Sequence, residues 1–351
     1  MLAYIFIVFF MIFLRVFIYR SWELTNREKL QFIVLALIPV TVISGFRGES
    51  VGADTENYRR QFMEILSGGE MVERIEPGFI YLNKLLVQIT SEFQWLVILT
   101  AVFLSISIGI FVYKNARDPF LALLFFITLG LFQFSLSGIR QTIAIAITLM
   151  SMELIKKRKL VWFLGVIMLA ALFHKSALLF FPAYFIANRS ITIKNLIIYL
   201  VAFTAIYFSA DFFLLKAAEI LELNYGIEET NNGYVFFFIV LVITVLGFWN
   251  RLQIVFRKKQ NLILFKRSNI IFINLNFISL LLWTIRLISR TAERVTFYYM
   301  PSTYLLLEEY VSSIKTSKNR MIAYVIVTAL AVTLFIYRIF RDTSLVPYKF
   351  F

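Results

Sequence analysis

The chain is predicted to fold as an all-α, polytopic helical bundle in a membrane, and three observations predict it. Hydrophobic residues make up 60% of the 351 positions and charged residues 16%, too little polar surface to coat a soluble globule. Runs of about 20 apolar residues recur throughout, each long enough to cross roughly 30 Å of hydrocarbon. A helix satisfies its own backbone N–H and C=O groups in that medium. No soluble domain of useful size fits between the runs, so residues 1–351 read as one transmembrane domain. The absence of cysteine excludes disulfides, iron–sulfur clusters and thiolate chemistry, and a single histidine excludes a histidine-rich metal site. No metal or other cofactor is expected.

The elements follow in order. Residues 2–19 are apolar but lack the basic start and small-residue cleavage site of a signal peptide, so they read as a first span. Arg15 and Arg20 lie at its far end, where long basic side chains can snorkel to headgroups. Further spans are expected near 30–46, 92–113, 119–136, 138–155, 160–174, 176–187, 196–215, 233–250, 268–288, 295–311 and 321–338, about 12 in all.

Charge sets the orientation. The connections 20–29, 114–118, 156–159, 188–195, 251–267 and 312–320 hold about 20 of the 35 basic residues, which assigns them to the cytoplasmic side. The whole positive excess falls on that face. The basic pI of 9.8 therefore has a topogenic explanation in short turns such as 156–159, and nucleic acid is excluded as a partner. Both termini then lie outside, together with the two longest loops, 47–91 and 211–232. In the first, Glu76-Pro77-Gly78-Phe79 reads as a helix entry with proline at an early position. Apolar residues at 79, 82, 85, 86 and 89 fall on one helical face, which predicts a helix lying along the interface or dipping into it, with Asn83 and Gln88 pointing elsewhere. The second loop is acidic and reads as solvated.

Four charged spots interrupt the apolar runs, and the topology places all four on the outer face. Charge kept at a bilayer boundary usually has a task. In residues 47–58, Gly48 and Gly52 permit close backbone approach. Asp54 can cap a short helix toward Tyr58, or accept a proton from a hydroxyl. Arg140 follows Ser135, Ser137 and Gly138 at a bend; it reads either as a turn arginine reaching lipid phosphates or as a side chain packed inward. His174 sits at the tip between two short apolar segments, as a hydrogen-bonded packing residue or as a base. Arg286, Arg290 and Arg294 are spaced by four and would form one stripe on a continuous helix. An internal carboxylate, Glu293, Asp54 or Glu76, would neutralise that stripe; a pyrophosphate or acidic sugar is the alternative, because the guanidinium fork binds phosphate oxygens bidentately.

In this order, Arg47 with Gly52-Ala-Asp-Thr-x-x-Tyr58, Glu76-Pro-Gly-Phe79, Gly138-Ile-Arg-Gln141 with Ala144, Phe173-His-Lys-Ser-Ala177 and Arg294-Val-Thr-x-Tyr298 resemble the EpsG-like branch of the Wzy-type bacterial polysaccharide polymerases. Each motif alone is weak, and their order and spacing together carry the likeness. The resemblance implies a multi-spanning glycosyltransferase of the bacterial cytoplasmic membrane, GT-C-like or O-antigen-ligase-like in fold. Its activity would be polymerisation of undecaprenyl-pyrophosphate-linked oligosaccharide repeats into exopolysaccharide, capsule or O-antigen on the outer face. Membrane lipid, a chain-length regulator and a flippase are the further partners it implies.

On that reading a hydroxyl of the incoming unit attacks the anomeric carbon of the growing glycan, and undecaprenyl pyrophosphate leaves. Arg140, Arg290 and Arg294 would stabilise the developing charge with Arg47 assisting, and Asp54 or His174 would take the proton late. Arg286, Tyr58, Glu76, Gln141 and Tyr298 complete the expected binding set. A transporter or flippase for the same lipid-linked sugars is one alternative, for which internal repeats, broken helices and charge near the midplane would be diagnostic. A related outer-face glycan ligase is another.

Overall fold

The computed structural model describes residues 1–69, 75–190, 193–209, 216, 233–258, 267–287 and 291–351. Among them the protein is helical, with no strand and one isolated antiparallel bridge between Arg47 and Phe350. The chain divides into two compact units: Met1–Met150, Met168–Lys175 and Ile314–Phe351 form the first, and Ser151–Ile167 and Ser176–Ser313 the second.

The first unit begins with α1 (Leu2–Phe13), extended by a π turn over Leu14–Ile18. Then come α2 (Asn26–Gly45), α3 (Thr55–Leu66), α4 (Pro77–Val87) and α5 (Gln94–Asn115). α6 (Pro119–Thr128), α7 (Leu131–Ser135) and α8 (Ile139–Met150) follow. Local signals set the boundaries. α2 opens on a capping box in which the Thr25 side chain accepts from Glu28 N–H and the Glu28 carboxylate accepts from Thr25 N–H. α6 opens on Asp118, whose carboxylate accepts from the N–H groups of Phe120 and Leu121, with Pro119 at the first turn. Every residue of α6 is buried, as an all-round apolar helix should be.

The outer helices show the opposite pattern. Leu30, Val34, Ile38, Val42 and Phe46 form an exposed row along α2, and Trp95, Leu99, Val102, Ile106 and Ile110 an exposed row along α5. Apolar rows of full helix length do not occur on soluble monomers and match contact with acyl chains.

The second unit holds α9 (Met152–Lys156), the first part of α10 (Leu160–Ala171), a 3₁₀ segment (Lys175–Phe180) from Ser176 onward, and α11 (Ala183–Ala187). α12 (Ile193–Phe208), α13 (Tyr234–Lys258), α14 (Arg267–Arg286), α15 (Thr291–Thr296) and α16 (Met300–Ser312) complete it. α13, α14 and α16 pack on one another. Buried Asn276 on α14 donates to Thr244 Oγ1 (2.6 Å) and accepts from Thr303 Oγ1 (2.6 Å), the polar glue that apolar helices need when hydrophobicity cannot tell lipid from protein. The last helix, α17 (Ser317–Arg341), returns to the first unit.

Several expectations change. Among the described residues three helices, α2, α5 and α17, are long and apolar enough to cross a membrane by length and composition. Other expected spans are built from shorter pieces. The run 119–136 is divided by Gly130, whose φ of +99° turns the chain between α6 and α7. The segment 138–155 divides into α8 and α9, and 176–187 is a 3₁₀ turn followed by one short helix.

Arg15 does not snorkel. It is buried, donates to Tyr324 Oη (2.9 Å) and pairs with Asp118 (3.5 Å), because α6 and α17 bring those acceptors to it. Of the residues expected on one apolar face, Phe79 and Leu86 are buried and Leu85 and Ile89 exposed, while Asn83 is fully buried and donates to Phe79 O (2.7 Å). The amide nitrogen is satisfied on its own helix, while Oδ1 is buried with no hydrogen-bond partner among the described residues. The loop 211–232 lies outside the described residues except for Lys216.

Candidate functional site

Backbone contacts of the first unit bring four of the motif segments together. Gly52 has φ +99°, and a Cβ there would stand 2.0 Å from Leu136 O, so this turn requires glycine. Around it Ala53 N–H donates to Ser137 Oγ (3.1 Å), and Thr55 Oγ1 donates to Val51 O (2.7 Å) and contacts Leu136 O at 3.3 Å. These bonds lay residues 51–55 on the 134–138 turn that opens α8. Gly78 makes a second close approach: its N–H donates to Leu172 O (2.8 Å), and a Cβ would lie 2.7 Å from that oxygen. The start of α4 is thereby docked on the end of α10, two residues before His174.

Arg140 and Glu76 occupy the junction. Arg140 Nη1 donates to Glu76 Oε2 at 2.5 Å, with the arginine side chain 23% exposed and the glutamate 5%. Glu76 precedes α4 but makes no side-chain cap bond to it; its other oxygen accepts from Lys175 N–H (3.1 Å). One buried carboxylate thus ties the 76–79, 138–141 and 173–177 motifs. The Arg140 guanidinium also stands 5.9 Å from the centre of the Tyr58 ring, which packs edge-on against Phe79 at 5.6 Å. Arg140 Nε has no hydrogen-bond partner. His174 and Gln141 are buried. Asp54 stands at the N-cap of α3, yet its side chain makes no capping bond.

Arg47 is placed differently. It is 2% exposed and lies under the C-terminal tail, held by Gly48 N–H to Lys349 O (2.8 Å), Phe351 N–H to Phe46 O (2.9 Å) and Tyr348 Oη to Ile43 O (2.8 Å). Tyr4 Oη donates to Leu345 O of the same tail (3.1 Å), which sets the two terminal segments at the end of α2 that carries Arg47. The guanidinium gives one bond, Nη1 to Ser44 O (2.5 Å), while Nε and Nη2 have none. Burial pushes its pKa down to about 10, and the neighbouring hydroxyls of Tyr4 and Tyr348 only partly oppose this. It remains a cation at neutral pH, and no described contact joins it to Arg140. Sequence reasoning missed the tail as a partner of Arg47, and nothing local in 342–351 announces it.

In the second unit, α14 ends at Arg286 and Leu287 turns back on Thr284 O (3.1 Å), while Arg294 lies on the separate helix α15. Arg286 and Arg294 therefore do not share a continuous helical stripe, and Arg290 lies outside the described residues. Arg286 Nε donates to Glu293 Oε2 (2.7 Å), so Glu293 is the carboxylate that answers it, as one of the expected alternatives had it. Tyr298 is buried with its hydroxyl 3.0 Å from Ser176 Oγ. Ser176 was not singled out from the sequence, although it stands in the same motif as His174.

The EpsG family model matches residues 29–350. The chain belongs to the EpsG family. This is a family of Wzy-type polysaccharide polymerase-like proteins, and the matched stretch contains every motif above and all but the last residue of the tail. Membership and the apolar helices make this a membrane protein with a part in exopolysaccharide polymerisation, glycosyltransferase-like in kind. No curated protein and no solved structure matches the chain.

Proposed function

We propose that this EpsG-family protein joins oligosaccharide repeats carried on undecaprenyl pyrophosphate, working at the extracytoplasmic face of the bacterial cytoplasmic membrane. The observation that carries the reading is Arg140: a guanidinium that stays partly exposed while paired, fixed in place by the buried Glu76 carboxylate where four family motifs meet. A hydroxyl at the non-reducing end of one unit forms a bond to the anomeric carbon of the other. The bond from that carbon to pyrophosphate breaks, and its electron pair leaves with undecaprenyl pyrophosphate.

Arg140 meets the charge that develops there, and a preorganised cation acts more strongly on the transition state than on the ground state. The chemistry needs no metal on this account. Glu76 acts as a positioning residue, since its two oxygens are occupied by Arg140 and Lys175 N–H. His174, buried beside that anchored turn, or Asp54 takes the hydroxyl proton. Tyr58 and Gln141 line the same region, and Arg294 and Tyr298 remain candidates for sugar or phosphate contact. A chain-length regulator and a flippase remain proposed partners.

A second reading draws on the helix breaks at Gly130 and between α7 and α8, which suit a transporter of the same lipid-linked sugars. One experiment separates the two. Purified protein in liposomes, supplied with the lipid-linked repeat of its host, is expected to give a polymer ladder that disappears in Arg140→Lys and Arg294→Ala. Movement of the lipid-linked sugar between leaflets without a ladder would replace polymerisation by transport.

A further inference from the structure

An apolar groove runs along the lipid-facing side of α2 and α5, with a volume of about 540 Å³, lined by Ile33, Leu37, Ile106 and Gly109 among others and reaching Lys114 at one end. The Thr41 and Ser105 hydroxyls in it are spent internally, since Thr41 Oγ1 donates to Leu37 O (2.8 Å) and lies 2.7 Å from Ser105 Oγ. From Leu30 to Val42 the groove follows about 18 Å of helix, close to the roughly 15 Å depth of one leaflet's hydrocarbon. The space therefore fits a single hydrocarbon chain entering from the bilayer.

The charge at its mouth says what heads that chain. Arg27 and Lys29 stand in the first turn of α2 and Lys114 and Arg117 at the C-terminal end of α5, the two ends that the Lys29–Ala116 contact joins, and Lys114 lines the groove. Asp118 is offset by Arg15, while Glu28, bonded only to Thr25, and Glu23 keep their charge, so these four cations outnumber the two remaining carboxylates of the same segments. Lys29 Nζ reaches Ala116 O at 2.5 Å and stands 5.5 Å from the centre of the Tyr113 ring, which fixes the foot of α2 against the foot of α5. The net local field is positive and faces the headgroup layer, where each basic residue attracts an anionic lipid by about 1 kcal/mol.

We propose that the groove between α2 and α5 is a binding site for a phospholipid with an anionic headgroup, its phosphate at Lys114 and one acyl chain in the groove. The site stands apart from the Arg140–Glu76 cluster, and the proposal is independent of the polymerase reading. The test is native mass spectrometry of the full-length protein in micelles titrated with phosphatidylglycerol or phosphatidylcholine. Wild type is expected to retain phosphatidylglycerol about fivefold more tightly, the ratio that 1 kcal/mol corresponds to. Lys114→Gln should erase that preference. Ile106→Trp, which fills the groove from a side chain already exposed to lipid, should lose the bound lipid, while Val325→Trp on the exposed face of α17 should behave as wild type. Equal retention of the two lipids by wild type, or undiminished phosphatidylglycerol binding in Ile106→Trp, would overturn the proposal. Displacement of phosphatidylglycerol by an equimolar polyprenyl phosphate would assign the groove to a different lipid and overturn it as well.

Discussion

The Arg140–Glu76 pair of the first unit and the Arg286–Glu293 pair of the second are chemically alike and reversed in exposure. At the first pair the arginine side chain is 23% exposed and the glutamate 5%; at the second the arginine is 6% exposed and the glutamate 25%. A third pair, Arg15–Asp118, is 8% exposed on both sides. Water reaches the cation in one case, the anion in another and neither in the third. Of these three, the Arg140 pair is the one that presents positive charge to an arriving anion, so a buried arginine pair in an apolar chain is informative through the exposure each partner keeps.

The reversal makes opposite demands on substitution, and the largest effect should fall on Arg140. Arg140→Ala strands a buried carboxylate, a change that costs about 3–5 kcal/mol where no other cation replaces it. Its thermal midpoint should drop sharply along with polymer yield. Arg140→Lys keeps a cation beside Glu76 but loses the planar fork; near-normal stability with a loss of about 10² in polymer formation is expected. A stable Arg140→Ala protein that polymerises at the normal rate would end the comparison.

A smaller effect is expected at the second pair, with the order inverted. Glu293→Gln takes the carboxylate from a buried guanidinium and should cost about 2 kcal/mol, whereas Arg286→Gln leaves a glutamate that water already reaches and should cost about 1 kcal/mol or less. Thermal unfolding of the two variants side by side measures this. Equal costs would mean that exposure does not rank the partners.

The smallest change should come from Arg47, a buried cation with no carboxylate partner among the described residues. Arg47→Met removes that charge and is expected to raise the midpoint by a few degrees at neutral pH while reducing polymer yield. The sign follows from its lowered pKa. The folded state holds the proton less tightly than the unfolded chain, so the penalty is present at neutral pH and fades as pH rises through about 10. The gain of Arg47→Met over wild type should shrink over that range. A midpoint that falls on substitution would show that the Ser44 bond and the packing under the tail outweigh the cost of burial.

The motif segments were legible because their demands are local. Gly52 and Gly78 stand where the backbone touches another segment, and Pro77 opens α4 where the sequence placed a helix entry. The partner of Arg140 was not legible, since Glu76 was only one of three carboxylates offered, and to a different set of arginines. Asn83 marks a more general limit. In a lipid environment both faces of a helix are apolar, so a period of 3.6 finds the helix without telling which face is inside. On α4 the exposed row is Tyr81, Leu85 and Ile89, and the buried one includes an amide.

Hydrophobicity and charge accumulate residue by residue, so the sequence alone determined that the chain is an apolar helical protein with most of its basic residues in short connections, and its ordered motifs identified the family. Pairing and exposure do not accumulate in that way. Arg140 meets Glu76 across 64 positions and Arg47 meets a tail some 300 residues away, and whether water reaches either depends on which segments close over it. That was decided only by the tertiary structure, because the energy of a charge depends on its surroundings, and distant parts of the chain supply them.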